Sequence, residues 1–243
     1  MTSTGRGARD RETGEPAGSL TPQARTTTSS APAASPVVLR PWQVADLPVF
    51  REWLRPHHEW HLWDGPYYAR PSDDEADEIV ARRARDIEAD GGRACTPGLP
   101  PRSLVVASAA DGTFRGTVSW YWESEETEWA RIGVVLHDPA ARGRGAGTAA
   151  VEQWTSLLFA ATGWRRLDLA TWSGNHAMSR VAEKLGFTLE ARFRRARVVR
   201  GEVYDSLVYG VLREEWVERC HDGRAAAWAS GTEPRVDLGP GRR

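Results

Sequence analysis

The segment from Ile132 to about Thr162 narrows the fold more than any other part of the chain. Ile132-Gly133-Val134-Val135-Leu136 is almost continuously apolar, as in a central strand covered on both faces. The glycine-rich run Arg142-Gly143-Arg144-Gly145-Ala146-Gly147 follows, and beyond it Val151, Trp154, Leu158 and Ala161 fall on one helical stripe. Strand, glycine turn and helix in that order make a cradle for a diphosphate. A helix N-terminus offers unpaired N–H groups and partial positive charge. Glycines let the backbone curl around an anion, and Arg142 and Arg144 add charge. A helix-start turn with no ligand is the plain alternative. The spacing is not that of a P-loop. Thr148 stands where a third glycine of G-x-G-x-x-G belongs, and no acidic residue follows a second strand to read a ribose.

Around this unit the chain alternates between strand and helix patterns. Val37–Arg40 reads as a strand, 43–55 as a helix with Val44, Leu47, Phe50 and Leu54, and Trp60–Tyr68 as an aromatic cluster broken by Asp64-Gly65-Pro66. Ser72 with Glu75 forms a capping box for a helix to about Asp90. Ser103–Ala110 and Thr113–Trp122 predict a hairpin on a two-residue Asp111-Gly112 turn. Trp129–His137 and Arg166–Trp172 are strands. A helix runs from Asn175 to Leu185 with Ala177, Val181 and Leu185 on one face, and 190–200 pairs with 202–213 around Gly201. Interleaved strands and helices make this an α/β chain built on a mixed sheet. Residues 1–36 hold no aromatic residue and are expected to form a disordered tail, 37–220 a single domain, and 221–243 a flexible end.

The resemblance lies in three ordered motifs. Arg142-x-x-Gly145-x-Gly147 after an apolar strand resembles the acetyl-CoA signature of the GNAT superfamily of N-acetyltransferases. Asn175 through Glu183-Lys184-Leu185-Gly186-Phe187 is similar to that family's second cofactor motif. Tyr204-Asp205 to Leu212-Arg213-Glu214-Glu215-Trp216 is similar to the branch that includes ribosomal-protein N-terminal acetylases. The resemblance covers about 37–217 and implies a single GNAT-like domain. Its mixed, twisted sheet would carry helices on both faces and a splayed central strand. It further implies that Val134, Val135 and Leu136 pair with the pantetheine arm through main-chain groups. The amides of Arg142, Gly143, Arg144, Gly145, Ala146 and Gly147 would hold the pyrophosphate, and Asn175 would bond the arm. Asn175 is equally an N-cap by its own chemistry.

The implied reaction is attack of a free amine on the thioester of acetyl-CoA, with a base for the ammonium proton and an acid for the thiolate. The family pattern places a tyrosine acid four residues before Gly186, where this chain has Ala182. Ser179 and Tyr209 are the substitute acids. Asp64, set among Trp63, Tyr67 and Tyr68, suits an amine through ion pairing and cation–π contact, or simply starts the Gly65-Pro66 turn. Trp120 and Trp122 complete the candidate acceptor wall, with core packing as the default for such residues. A non-catalytic coenzyme A sensor is one rival. A nucleic-acid binder using the arginines of 192–200 is another, although the net charge of −1 gives no global drive toward nucleic acid. Two cysteines in no metal or redox spacing lead to the expectation of reduced thiols, no metal and a cytoplasmic location. No apolar run of about 18 residues is present, so no membrane partner is expected, and a monomer or homodimer is.

Overall fold

A computed structural model describes residues 35–91 and 98–220. The expected tails lie almost wholly outside the described residues, as does Cys95. The strands are β1 (Val37–Arg40), β2 (Ser103–Ser108), β3 (Phe114–Ser124), β4 (Trp129–Leu136), β5 (Arg166–Trp172), β6 (Thr188–Val199) and β7 (Glu202–Leu212). The helices are α1 (Asp46–Trp53), α2 (Asp73–Asp90), α3 (Ala146–Ala161), α4 (His176–Lys184) and α5 (Arg213–Arg219), with short 3-10 turns at Glu59–Leu62 and Pro139–Ala141. Among the described residues the sheet has seven strands in the order β1-β2-β3-β4-β5-β7-β6, which puts β4 at the centre of that order. Only β4 and β5 pair in parallel; every other neighbouring pair is antiparallel.

Strand alternation splits the apolar residues between two cores. Leu104, Val106, Val118 and Trp120 join α3, α4 and α5 on one face, and Val105, Ala107 and Phe114 join Phe50, Trp60 and Ala76 on the other. The helices therefore cover both faces, as the α/β reading requires. Trp154 is fully buried in α3 and donates its indole N–H to the Ser119 carbonyl at 3.0 Å, which stitches the helix to β3 and satisfies the buried indole.

Local signals act where the sequence puts them. Ser72 accepts the Glu75 amide while the Glu75 carboxylate accepts the Ser72 amide, and Gly91 closes α2 in the left-handed region. Arg200 and Gly201, with φ of 51° and 83°, make the tight β6–β7 turn. The β2–β3 connection departs from expectation, because five residues rather than two separate the strands. Asp111 accepts both the amide and the hydroxyl of Thr113, at 3.1 and 2.8 Å, and a local side-chain turn replaces the tight hairpin. Ala161 and Ala177, expected on buried stripes, are exposed. Helix α5 was absent from the sequence reading. Its Arg213 donates to the carbonyls of Phe159, Thr162 and Trp164 at 2.6–2.8 Å, filling the unpaired C-terminal end of α3.

Candidate active site

β4 and β5 form a fork. They pair only at Ala130↔Leu167 and Arg131↔Asp168, and beyond Arg131 the strands part. A buried ion pair closes the root. Asp168 is fully buried and accepts from Arg131 Nε at 2.6 Å, Arg131 Nη2 at 3.0 Å and Trp129 Nε1 at 2.7 Å. Arg131 also meets Glu123 at 2.6 Å, so its guanidinium bridges two carboxylates. Along the open arm, Val134 and Leu136 pack toward the α3 core and Val135 toward the α1–α2 core. Gly116 on β3 is required there, since a Cβ would run into the Val135 carbonyl oxygen.

The mouth of the fork carries the glycine turn. Asp138 accepts the Ala140 amide at 2.8 Å and pairs with Arg115. Gly143 and Gly145 have φ of 71° and 83°, with open space where a Cβ would stand, so backbone conformation rather than crowding calls for glycine. Gly145 is the N-cap of α3 and supplies no side-chain cap, and the first amide held by the helix itself is that of Ala149, 2.9 Å from the Gly145 carbonyl. The N–H groups of Ala146, Gly147 and Thr148 thus face outward at the positive end of the α3 dipole. A side chain at Gly147 would make ordinary contact with Leu136 at 3.7 Å. Arg142 differs from expectation. Its guanidinium donates to the Leu136 carbonyl at 3.0 and 3.3 Å and pairs with Glu59 at 3.3 Å, so it braces the strand end instead of projecting to an anion. Arg144 is exposed.

The aromatic segment docks on the other arm. The main-chain carbonyl of Trp63 accepts from Trp172 Nε1 at the end of β5 and from Asn175 Nδ2 at the start of α4, each at 3.3 Å. Asn175 Oδ1 accepts the Met178 amide at 3.2 Å, so the residue caps α4 as its chemistry allowed, and its amide tethers the segment. Asp64 keeps access to water, yet protein surrounds most of its carboxyl, and that crowding pushes its pKa up to about 6. Tyr67 is half-buried, and burial raises its phenol against the opposing pull of Arg197, whose guanidinium lies 4.5 Å over its ring. Tyr67 and Tyr68 meet edge to face at 4.8 Å, and Trp63 donates to Glu59 at 3.2 Å. Arg197, a residue of the basic run, is the member of this cluster that the sequence reading missed.

Other predicted residues lie elsewhere. Trp120 is 2% exposed, donates to the Pro101 carbonyl and stacks under Arg102. It forms a triangle with Trp122 and Trp164 at 4.7–4.8 Å, because alternation along β3 turns residues 118, 120 and 122 toward the α3 face. Trp120 and Trp122 both pack in the core on the α3 side of the sheet. Tyr209 is also buried at 3%, with its hydroxyl 3.5 Å from Glu183. Ser179 is half-buried in the first turns of α4, its amide 3.2 Å from the Asn175 carbonyl. His137 is packed among Phe50, Trp60 and Phe114, and burial lowers its pKa to about 3, which keeps it neutral at pH 7. The arginine run is divided. Arg192 pairs with Asp205 at 3.5 Å and Arg197 turns to Tyr67, whereas Arg194, Arg195 and Arg200 are exposed.

Comparison with known proteins agrees with this geometry. A family model for the acetyltransferase (GNAT) domain matches residues 37–188. Among solved structures, spermidine N-acetyltransferase from Vibrio cholerae in complex with CoA and spermine superposes with a TM-score of 0.59 at 15% identity, over 75% of this chain and 98% of that one. A ribosomal L7/L12 alpha-N-protein acetyltransferase in complex with coenzyme A gives 0.56 at 18% identity, over 74% and 96%. A GCN5-related N-acetyltransferase from Brucella melitensis gives 0.57 at 20% identity, over 82% and 88%. A parted central strand, an uncapped helix start behind a glycine turn and a family model spanning more than half the residues lead to one conclusion: the chain belongs to the GNAT acetyltransferase family.

Proposed function

We propose that the protein transfers the acetyl group of acetyl-CoA to a primary amine, on a small molecule or a protein N-terminus, in the cytoplasm. One observation supports this above the rest. The uncapped start of α3 and the open edge of β4 lie on one arm of a fork, and the other arm carries Asp64 within an aromatic wall. In this reading the main-chain groups of Val134, Val135 and Leu136 receive the pantetheine arm as an added strand, with the Leu136 carbonyl shared with Arg142. The amides from Gly143 to Gly147 take the pyrophosphate, that of Arg142 being held by the Pro139 carbonyl at 3.1 Å, and Asn175 borders the arm. Trp63, Tyr67 and Tyr68 enclose the amine.

The amine nitrogen attacks the thioester carbonyl carbon, the C–S bond breaks, and the coenzyme A thiolate leaves. Asp64, raised to about 6, is ionised at neutral pH and basic enough to accept the ammonium proton directly or through water. Ser179 on α4 is the proposed donor to the thiolate; Tyr209 ranks behind it because it is buried and its hydroxyl points to Glu183 at 3.5 Å. Positioning in the fork supplies much of the rate.

Calorimetric titration with acetyl-CoA, followed by free-thiol release across an amine panel, tests the reading. Saturable binding with amine-dependent thiol release supports it, and absence of binding at millimolar cofactor by the folded protein refutes it. One observation favours a second reading. Ala182, fully buried where the family pattern has its tyrosine, leaves no hydroxyl at that site. A coenzyme A sensor would bind the cofactor and release no thiol with any amine.

A further inference from the structure

A second chemistry-bearing cluster lies one loop upstream of the aromatic segment. After α1 the chain turns through Arg55-Pro56-His57-His58 and folds both imidazoles back onto the last turn of the helix. His58 Nε2 is 3.5 Å from Glu52 Oε1, and His57 Nε2 is 4.0 Å from the same oxygen. The three ligand atoms lie within 4.8 Å of one another. The other Glu52 oxygen is held by Arg55 at 2.8 Å, which turns the first toward the histidines. The imidazole rings are 4.1 Å apart, and His58 is wedged against Trp53 at 4.5 Å.

One atom in this cluster lacks a partner. His58 Nε2 is buried and makes no hydrogen bond, its contact with Glu52 being too long and poorly aligned. A buried nitrogen with an unused lone pair or proton is costly, so the native arrangement needs something to satisfy it. Two imidazoles and one carboxylate around a common point are the donor types of a tetrahedral Zn²⁺ site. Bonds of about 2.0–2.2 Å there put neighbouring donors roughly 3.3–3.5 Å apart. The His58–Glu52 spacing of 3.5 Å already fits, and rotation of the exposed His57 closes the 4.0 Å gap. Magnesium and calcium call for oxygen-rich sets, so this donor set discriminates against them.

We propose that Glu52, His57 and His58 form a three-ligand site for a borderline divalent transition cation of the Zn²⁺ class, with the fourth position open to water. The ion ties the end of α1 to the loop that leads into the aromatic segment. That loop is already laced to the helix, since Trp60 Nε1 donates to the Trp53 carbonyl at 2.6 Å and His61 Nε2 lies 3.1 Å from the Arg55 carbonyl. The site takes no part in acetyl transfer; it steadies the segment that carries Asp64. The sequence expectation of no metal rested on motif spacing, and adjacent histidines paired with an upstream glutamate match no such motif.

The test uses chelator-treated full-length protein titrated with ZnCl₂, with MgCl₂ and CaCl₂ in parallel, by calorimetry and thermal unfolding. One zinc ion per chain and a raised Tm are expected, with no response to the other two cations. His57→Ala removes an exposed ligand whose ring meets only that of His58 among the aromatic contacts, and Glu52→Gln keeps the shape of its side chain. Each is expected to weaken zinc binding by at least the roughly 10–100-fold that outer-shell losses cause. No zinc binding by the wild type would overturn the proposal. So would unchanged affinity and stoichiometry in both variants, which would put the ion elsewhere on the chain.

Discussion

Replacing Asp64 by asparagine removes a charge that the fold holds at a disadvantage. Its carboxyl has a pKa of about 6, raised from 3.8 by burial, so the ionised form is less stable in the folded chain than in the unfolded one. That penalty is absent below about pH 4, grows between about pH 4 and 6, and is constant above. A fully buried group shifted by roughly two units would carry about 3 kcal/mol. Asp64 is open to water, which screens most of that, and about 1 kcal/mol is the expected figure. For a chain of this size, Asp64→Asn should raise Tm by about 2–4 °C near pH 7.5, and the gain should be largely gone near pH 4. Differential scanning calorimetry at the two pH values measures it. The same substitution should abolish the acid limb of the kcat/KM profile, centred near pH 6, and lower kcat/KM by about 10²–10⁴-fold. A stabilised, inactive variant identifies a group retained for chemistry. A variant with lowered Tm at both pH values refutes the reasoning and assigns the carboxylate to the Gly65-Pro66 turn.

Gly145→Glu should eliminate acetyl-CoA binding in titration calorimetry by placing a like charge at the start of α3, where Gly145 has φ of 83°. Gly116→Ala should displace the end of β4 and cost roughly 1–3 kcal/mol by chemical denaturation, with a matching loss of cofactor affinity, because the added methyl meets the Val135 carbonyl. Asp168→Asn leaves Arg131 with Glu123 as its remaining counter-ion and weakens its buried hydrogen bonds, which should cost about 1–3 kcal/mol in the same assay. Trp122→Ala should lower stability while leaving KM for the amine unchanged, since its ring packs on Trp120 and Trp164.

Legibility in the sequence followed the range of each interaction. The strand, turn and helix around β4 and α3 were readable because hydrophobic period, glycine positions and caps are local signals. The Ser72–Glu75 box and the Gly201 turn were readable for the same reason. The fork itself was not, because its root depends on Arg131 meeting Asp168, residues far apart in sequence that only strand order brings together. Resemblance supplied the splay; the residues alone did not. Arg197 over Tyr67 and Trp164 against Trp120 are long-range encounters of the same kind. Composition marks such side chains as able to pack and says nothing of their partner. Ala161 and Ala177 failed for a different reason, since a methyl group commits a helix face to neither core nor solvent.

The aromatic segment is tied to the fork through the Trp63 carbonyl oxygen, and no mutation at position 63 can delete that oxygen. The donors that hold it, Trp172 and Asn175, stand outside the segment. That bond therefore survives exchange of the side chains at 63, 64, 67 and 68, whatever becomes of their own contacts with Glu59 and Arg197. On the proposed reading, in which these side chains meet the amine, a point substitution there would alter selectivity and leave the carbonyl anchor in place.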